Sequence, residues 1–172
     1  MKSTPFLVLG MLAVLVAPLA PAQDQEAILK LKNQIIDLQN RGSLGFKDFT
    51  LCSKILGFGS FVALDRAEVG QGAELEIYYE PVNVYTNRGK GLYELFYTQD
   101  IVLLSEQGDT VYEAKELLNF HWVSKSPVFD LYATNSLNLG GLPPGNYTYK
   151  AVLHDKLKDA AAEYSLPFTV RP

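Results

Sequence analysis

One cysteine in 172 residues, Cys52, rules out an internal disulfide. Stability then has to come from burial, which ten tyrosines, nine phenylalanines and the aliphatic residues can supply. Cys52 itself reads as a small buried hydrophobe, with an intermolecular bridge as the alternative. Only two histidines are present, His121 and His154, on separate segments with no HExxH or CxxC nearby. The one combination left to a metal, His121 with His154 and Asp155, lacks the spacing of zinc sites, so no metal and no cofactor are expected. There is no Gly-x-Ser-x-Gly elbow for a serine nucleophile and no DxDxDG calcium loop. The glycines of "GFGSFVAL" are not followed by the Gly-Lys-Ser/Thr of a phosphate loop. Lysine and arginine number 15 against 19 acidic residues, a net charge of −4. With no clustered basic residues, nucleic acid and anionic lipid are not expected partners.

Long apolar runs are also missing. The longest uncharged apolar core, Phe6 to Val16 in "MKSTPFLVLGMLAVLVAPLAPAQDQ", falls well short of the ~20 residues a membrane-spanning helix needs. With Lys2 ahead of it and Ala20-Pro21-Ala22 behind it, the stretch has the form of a secretory signal, residues 1–22, cleaved after Ala22. No cysteine stands at the cleavage point, so a lipoprotein anchor is not expected. The expectation is an exported protein, periplasmic or extracellular, with no membrane span. Loss of Lys2 leaves 14 basic against 19 acidic residues, a net charge of −5. About 150 residues remain, enough for one domain with its own core.

Residues 23–42 are expected to form an amphipathic helix or spacer. Ile28, Leu31, Ile35 and Leu38 recur at a 3-4-3 spacing that lines up one stripe, with Asp24 to cap the start and Gly42 to end the helix. The stripe suits docking on the chain's own domain. The lesser alternative is a weak homo-oligomer through a coiled-coil seam, for which two heptads are short.

From Phe46 the period changes to two, and residues 46–171 read as a β-domain. "DFTLCSKI", "AELEIYYEPV", "LYELFYTQDIVLLSE", "VYEAKELL", "VFDLYATNSLNL", "NYTYKAVLHD" and "EYSLPFTV" are strands separated by turn signals. In the second, Leu75, Ile77 and Tyr79 face inward and Glu74, Glu76, Tyr78 and Glu80 face solvent. The long "LYELFYTQDIVLLSE" is expected to bend near Thr98 to Asp100. Pro167 cannot donate to a ladder, which places the last strand at a sheet edge. Seven or eight short strands without βαβ alternation predict an all-β, antiparallel sandwich. In "GGLPPGNYTYKAVLHD", Pro144 and Gly145 form a rigid turn ahead of Tyr147. This resembles the corner at which immunoglobulin-like and fibronectin type III domains cross between sheets, where a tyrosine hydroxyl bonds back to the loop. Tyr147, Pro144 and Gly145 are therefore read as structural.

Taken together, "FTLCSKILGFG", "GQGAELEIYYEPVN", "LPPGNYTYKAVLHD" and "LPFTV" resemble a group of uncharacterised secreted bacterial proteins of planctomycete type with an Ig-like domain. The resemblance spans about Lys47 to Val170. It implies export and an Ig-like β-sandwich, and no activity.

No catalytic residues are expected. The best surface for recognition is "NFHWVSKSP", read as an irregular loop carrying Phe120, His121, Trp122, Ser124 and Lys125. Trp122 serves there either as a binding anchor or as a plug between the sheets. The functional expectation is a non-enzymatic binding or structural module of the bacterial cell envelope, contacting an envelope protein. The alternative is a carbohydrate- or polysaccharide-binding module, and a hydrolase using Glu74, Glu76 and Glu80 comes last.

Overall fold

The computed structural model describes residues 22–172 and is mostly β, with two sheets and one helix near the N-terminus. The expected export signal, residues 1–22, lies outside the described residues except for Ala22. Helix α1 is Ala22–Arg41. Strands β1 Gly45–Gly57, β2 Ser60–Ala63, β3 Glu68–Gly70, β4 Glu74–Val82 and β5 Asn87–Gly89 follow. The second half holds β6 Leu92–Ser105, β7 Thr110–Ser124, β8 Ala133–Asn138, β9 Gly145–Asp155 and β10 Ala160–Arg171. Because the helix already starts at Ala22, Asp24 sits in its first turn and is not its cap. There it still favours the helix, since a carboxylate complements the positive N-terminal end.

One sheet has the order β2-β1-β4-β8, the other β3-β10-β9-β6, with β7 along the free side of β6 and β5 beside its start. All pairings are antiparallel except the short β3–β10 contact. The sheets form a curled half-barrel, not plainly an Ig-like sandwich. Three of the ten strands, β2, β3 and β5, are only three or four residues long. They are pairing segments that alternation too short to read cannot reveal.

Alternation sets the core where the strands are long. Tyr147, Tyr149, Ala151 and Leu153 of β9 and Tyr97, Gln99, Ile101 and Leu103 of β6 are buried on one face. Leu75, Ile77 and Tyr79 of β4 meet them from the opposite sheet. Two apolar clusters result, one around Ile77, Ile101 and Tyr149, the other around Tyr79, Tyr97 and Leu153. Between them lies a polar knot. Gln99 accepts from the Tyr79 hydroxyl (2.6 Å) and from Asn135 Nδ2 (3.2 Å), and donates to Tyr149 Oη (3.3 Å). One amide thus serves partners from both sheets, leaving only one arrangement in which these groups are satisfied.

Thr98 to Asp100 of β6, where a bend was expected, pair with β9 in unbroken register, and the bulge beside them lies in β7, where residues 115–117 stand against Asp100 alone. Glu116 takes φ 49° there, and its N–H is held by Asp100 Oδ1 at 2.8 Å. Beside it, the Thr98 hydroxyl is fully buried and has no hydrogen-bond partner among the described residues. Thr98→Val keeps the shape and removes the desolvated hydroxyl. It is expected to raise stability by about 1 kcal/mol, read as a higher urea midpoint; a lower midpoint would mean that the hydroxyl is serving a partner.

Three expectations are corrected. The outward parity of β4 is not all solvated: Tyr78 and Glu80 are buried, because the β1–β2 hairpin folds over them and lays Phe61 on Tyr78 at 4.3 Å. "NFHWVS" is not a loop, since β7 runs unbroken to Ser124 along β6. The last strand is an open edge along Ala160–Phe168, Pro167 included, but not at its end, where β3 pairs with Thr169–Arg171.

Candidate interaction surface

Helix α1 presents two faces about half a turn apart, and the domain uses the more polar one. Ile36 is completely buried, one residue or about 100° round from Ile35. Polar groups on the same side fasten the helix around it. Asn40 and Thr86 bond reciprocally, Nδ2 to the Thr86 carbonyl and the Thr86 N–H to Oδ1, each at 2.9 Å. Tyr93 Oη donates to Asn33 Oδ1 at 3.1 Å, and Asp37 pairs with Arg88. Lys158 Nζ donates to the carbonyls of Asn40 (2.9 Å) and Gly42 (3.1 Å), neutralising orphan carbonyls at the helix end.

The apolar stripe is left over. Ile28, Leu31, Ile35 and Leu38 are between 43% and 63% exposed. Docking on the chain's own domain through this stripe, one of the two expectations, does not occur. The row that does the docking, Asn33, Ile36, Asp37 and Asn40, went unread in the sequence. Its only signal is two asparagines a heptad apart flanking Ile36, a pattern that solvated helix faces also show.

The second exposed apolar group is the C-terminal part of β7. Trp122 stands opposite Leu95, 45% exposed, with its ring parallel to that of Phe120 at 6.2 Å. Phe120 leans on Tyr97 at 5.5 Å. Trp122 is therefore neither a loop anchor nor a plug between sheets, but the outermost ring of an aromatic row at a sheet edge. His121 points the other way, bonded to Glu94 at 2.9 Å and stacked on Phe96 at 4.6 Å. Hydrogen bonds from His121 and then Asn87 hold the Glu94 carboxyl below the usual carboxylate range. Lys125 is exposed just past the strand.

The other candidates are tied into the fold and are not brought together. His154 pairs with Asp100 at 3.0 Å. Burial pushes the Asp100 carboxyl up, but the Glu116 amide and His154 outweigh it and hold the group below its ordinary range. Asp155 faces elsewhere, accepting the Tyr85 N–H at 2.6 Å and those of Leu157 and Lys158 at 3.0 Å each. Among the described residues no three histidine, cysteine or carboxylate groups could hold a metal ion. Glu80 accepts from Tyr78 Oη (2.8 Å) and pairs with Lys47 (2.9 Å), while Glu74 and Glu76 both accept at Ser136 Oγ. Burial, and then the neighbouring Glu80, pushes the Tyr78 hydroxyl up to about 12 although the Gly59 amide works against them. Burial likewise pushes the Cys52 thiol up, away from a reactive thiolate. Tyr147 Oη donates to the Pro143 carbonyl at 2.8 Å, across the Pro144-Gly145 turn.

No family model matches the sequence, and no curated protein is similar to it. Among solved structures the chain is similar to the Pseudomonas fluorescens alkylpurine DNA glycosylase AlkC bound to DNA containing an abasic site analog. The identity is 11%, over 86% of this chain and 36% of that one, with a TM-score of 0.41. Two expectations are corrected against this finding. The structure found is a DNA-bound enzyme, so the assignment to a cell-envelope binding module and the exclusion of nucleic acid are both withdrawn. A likeness this distant carries no argument of its own about what the present chain binds or catalyses.

Proposed function

We propose that this chain is a non-catalytic, exported β-domain that works by associating with a second copy of itself through α1. The observation that carries the reading is the exposed row of Ile28, Leu31, Ile35 and Leu38 on a helix whose other face is fastened to the domain. An amphipathic helix is stabilised by covering its apolar face. Here the body covers a different face, so the stripe needs something outside the domain. A second copy of the same helix supplies a matching 3-4-3 row for knobs-into-holes packing. Support for a non-catalytic role is that the histidines, Asp155 and Glu80 are each engaged by structural partners.

Sedimentation of the exported protein is expected to show mass rising from monomer toward dimer with concentration. Leu31→Asp with Leu38→Asp should abolish the rise without changing the circular dichroism spectrum. A monomer at every concentration would refute the reading. Export itself rests on the pattern of residues 1–22; N-terminal sequencing of protein recovered from its source is expected to begin at Gln23, and a start at Met1 would overturn it.

The finer reading of the fold belongs with this proposal. The Tyr147–Pro143 bond across a Pro-Gly turn supports an Ig-like sandwich. The motif resemblance to secreted planctomycete-type proteins supports it from the sequence side.

A further inference from the structure

We propose that the open edge of β8 takes up a strand of another polypeptide, an extended segment with aliphatic residues at alternate positions and basic residues between them. The surface shares no residue with the exposed stripe of α1, and the inference does not depend on self-association through the helix.

The two sheets leave a gap between β7 and β8. Among the described residues β7 pairs with β6 alone and β8 with β4 alone. At one end the chain closes this gap itself: Val128 and Leu131 of the β7–β8 connection pack, with Leu118 and Phe120 of β7, against the cluster around Tyr79 and Tyr97. At the other end the gap is a groove of about 470 Å³, lined by Leu103, Val111, Tyr112, Leu137, Leu139 and Leu142. Its walls are the core-facing sides of both sheets, since Tyr112 stands opposite the buried Leu103 and Leu137 opposite the buried Leu75. The groove therefore continues the apolar core and has the volume of a few aliphatic side chains.

Of the two strands flanking the groove, β8 is the one open to addition. Sheet edges are usually blunted by charge or bulges. On β7, Glu113, Lys115 and Glu116 and the bulge at 115–117 do this. Ala133–Asn138 has neither: it carries no charge and no proline, and it runs against β4 without a register shift. The Leu139 N–H donates to the Ala73 carbonyl at 3.1 Å, in line with the Glu74–Asn138 pair, and this fixes the phase of the ladder. Odd-numbered residues of β8 turn their main-chain groups to β4, and Thr134, Ser136 and Asn138 turn theirs to the open side. An incoming strand meets there a row of donors and acceptors beside an apolar groove.

The same phase dictates the side chains of the added strand. A residue set against Leu137 points into the groove, where an aliphatic group covers Leu103, Leu139 and Leu142. A residue set against Ser136 points to the outer face. There the Glu74 and Glu76 carboxylates both accept from the one Ser136 hydroxyl, so two anionic groups share a neutral donor. A lysine or arginine at that position neutralises them. A second copy of β8 is the wrong occupant, because pairing edge to edge gathers the carboxylates of both copies at one seam.

The test uses the complete exported protein and a fluorescein-labelled synthetic peptide of the length of β8, in which valine and lysine alternate. By fluorescence anisotropy it is expected to bind about tenfold more tightly than a peptide with the same residues in two blocks, and about tenfold more tightly than one with glutamate for lysine. On binding, the amides of Thr134, Ser136 and Asn138 are expected to gain protection from hydrogen exchange. Glu74→Lys with Glu76→Lys is expected to reverse the preference between the lysine and glutamate peptides, a result that loss of the fold cannot produce. Equal binding of the alternating and blocked peptides, no binding of either, or protection confined to other amides would overturn the proposal. So would protection of the three amides that rises with protein concentration in the absence of peptide, which assigns the edge to a second copy. Peptide binding is expected whether or not sedimentation shows association through α1, so the two readings fail separately.

Discussion

Asp155→Ala is expected to destabilise the domain by about 3–5 kcal/mol, a large share of the 5–15 kcal/mol that holds a domain of this kind together. The carboxylate is almost fully buried and ends β9. Its Oδ1 receives the N–H groups of Leu157 and Lys158 and so closes the turn into β10. Its Oδ2 receives the Tyr85 N–H from the connection between β4 and β5, next to the Thr86 amide that holds Asn40 of the helix. Hydrogen bonds to an ionised acceptor contribute about 1.5–3 kcal/mol each, and truncation leaves three donors, of which water can reach those in the turn more easily. Asp155→Asn keeps an oxygen for the turn but turns an N–H₂ group toward Tyr85, so its loss is expected to be intermediate. Urea unfolding followed by circular dichroism measures both. A loss below about 1 kcal/mol for the alanine variant would mean that the turn and the β4–β5 connection stand without the carboxylate.

Gln99→Leu is expected to be comparably severe, about 3–5 kcal/mol, although it adds apolar volume to an apolar neighbourhood. The leucine abandons Tyr79 Oη and Asn135 Nδ2, which lose their acceptor, and Tyr149 Oη, which loses its donor. Burial, with Tyr97 and Tyr149 nearby, pushes the Tyr79 hydroxyl far up, so it remains a donor that must find an acceptor. The discriminating measurement is a double-mutant cycle. Tyr79→Phe in the Gln99→Leu background removes one stranded hydroxyl and is expected to recover about 1–2 kcal/mol, while the same change in the native background destabilises. Simple additivity would show that the two residues are not coupled, contrary to the polar knot between the two apolar clusters. Thr98, one residue away, gives the opposite sign, because its hydroxyl has no partner among the described residues to strand.

The inward face of β9 could be read from the sequence because alternation is local. Adjacent side chains on a strand point to opposite sides, so Tyr147, Tyr149, Ala151 and Leu153 declare a shared face before any partner is known. The corner at Pro144-Gly145-Tyr147 was legible for the same reason, since donor and acceptor lie four residues apart. The helix stripe was equally plain as a stripe. Its fate was not, because periodicity says which residues share a face and nothing about what covers them.

What covers each face depends on groups distant in the chain. The body takes the side of α1 carrying Asn33, Asp37 and Asn40 because Tyr93, Arg88 and Thr86 wait there, and so the apolar row of Ile28, Leu31, Ile35 and Leu38 stays outside. Tyr78 and Glu80 are buried because the β1–β2 hairpin closes over a face that alternation assigns to water. Trp122 lies at an open edge because nothing pairs beyond β7 among the described residues. Composition and local period determined the class of structure and the membership of each face. Which faces meet was decided only in the folded chain, since hydrogen bonds and packing between residues forty to more than a hundred positions apart leave no local pattern.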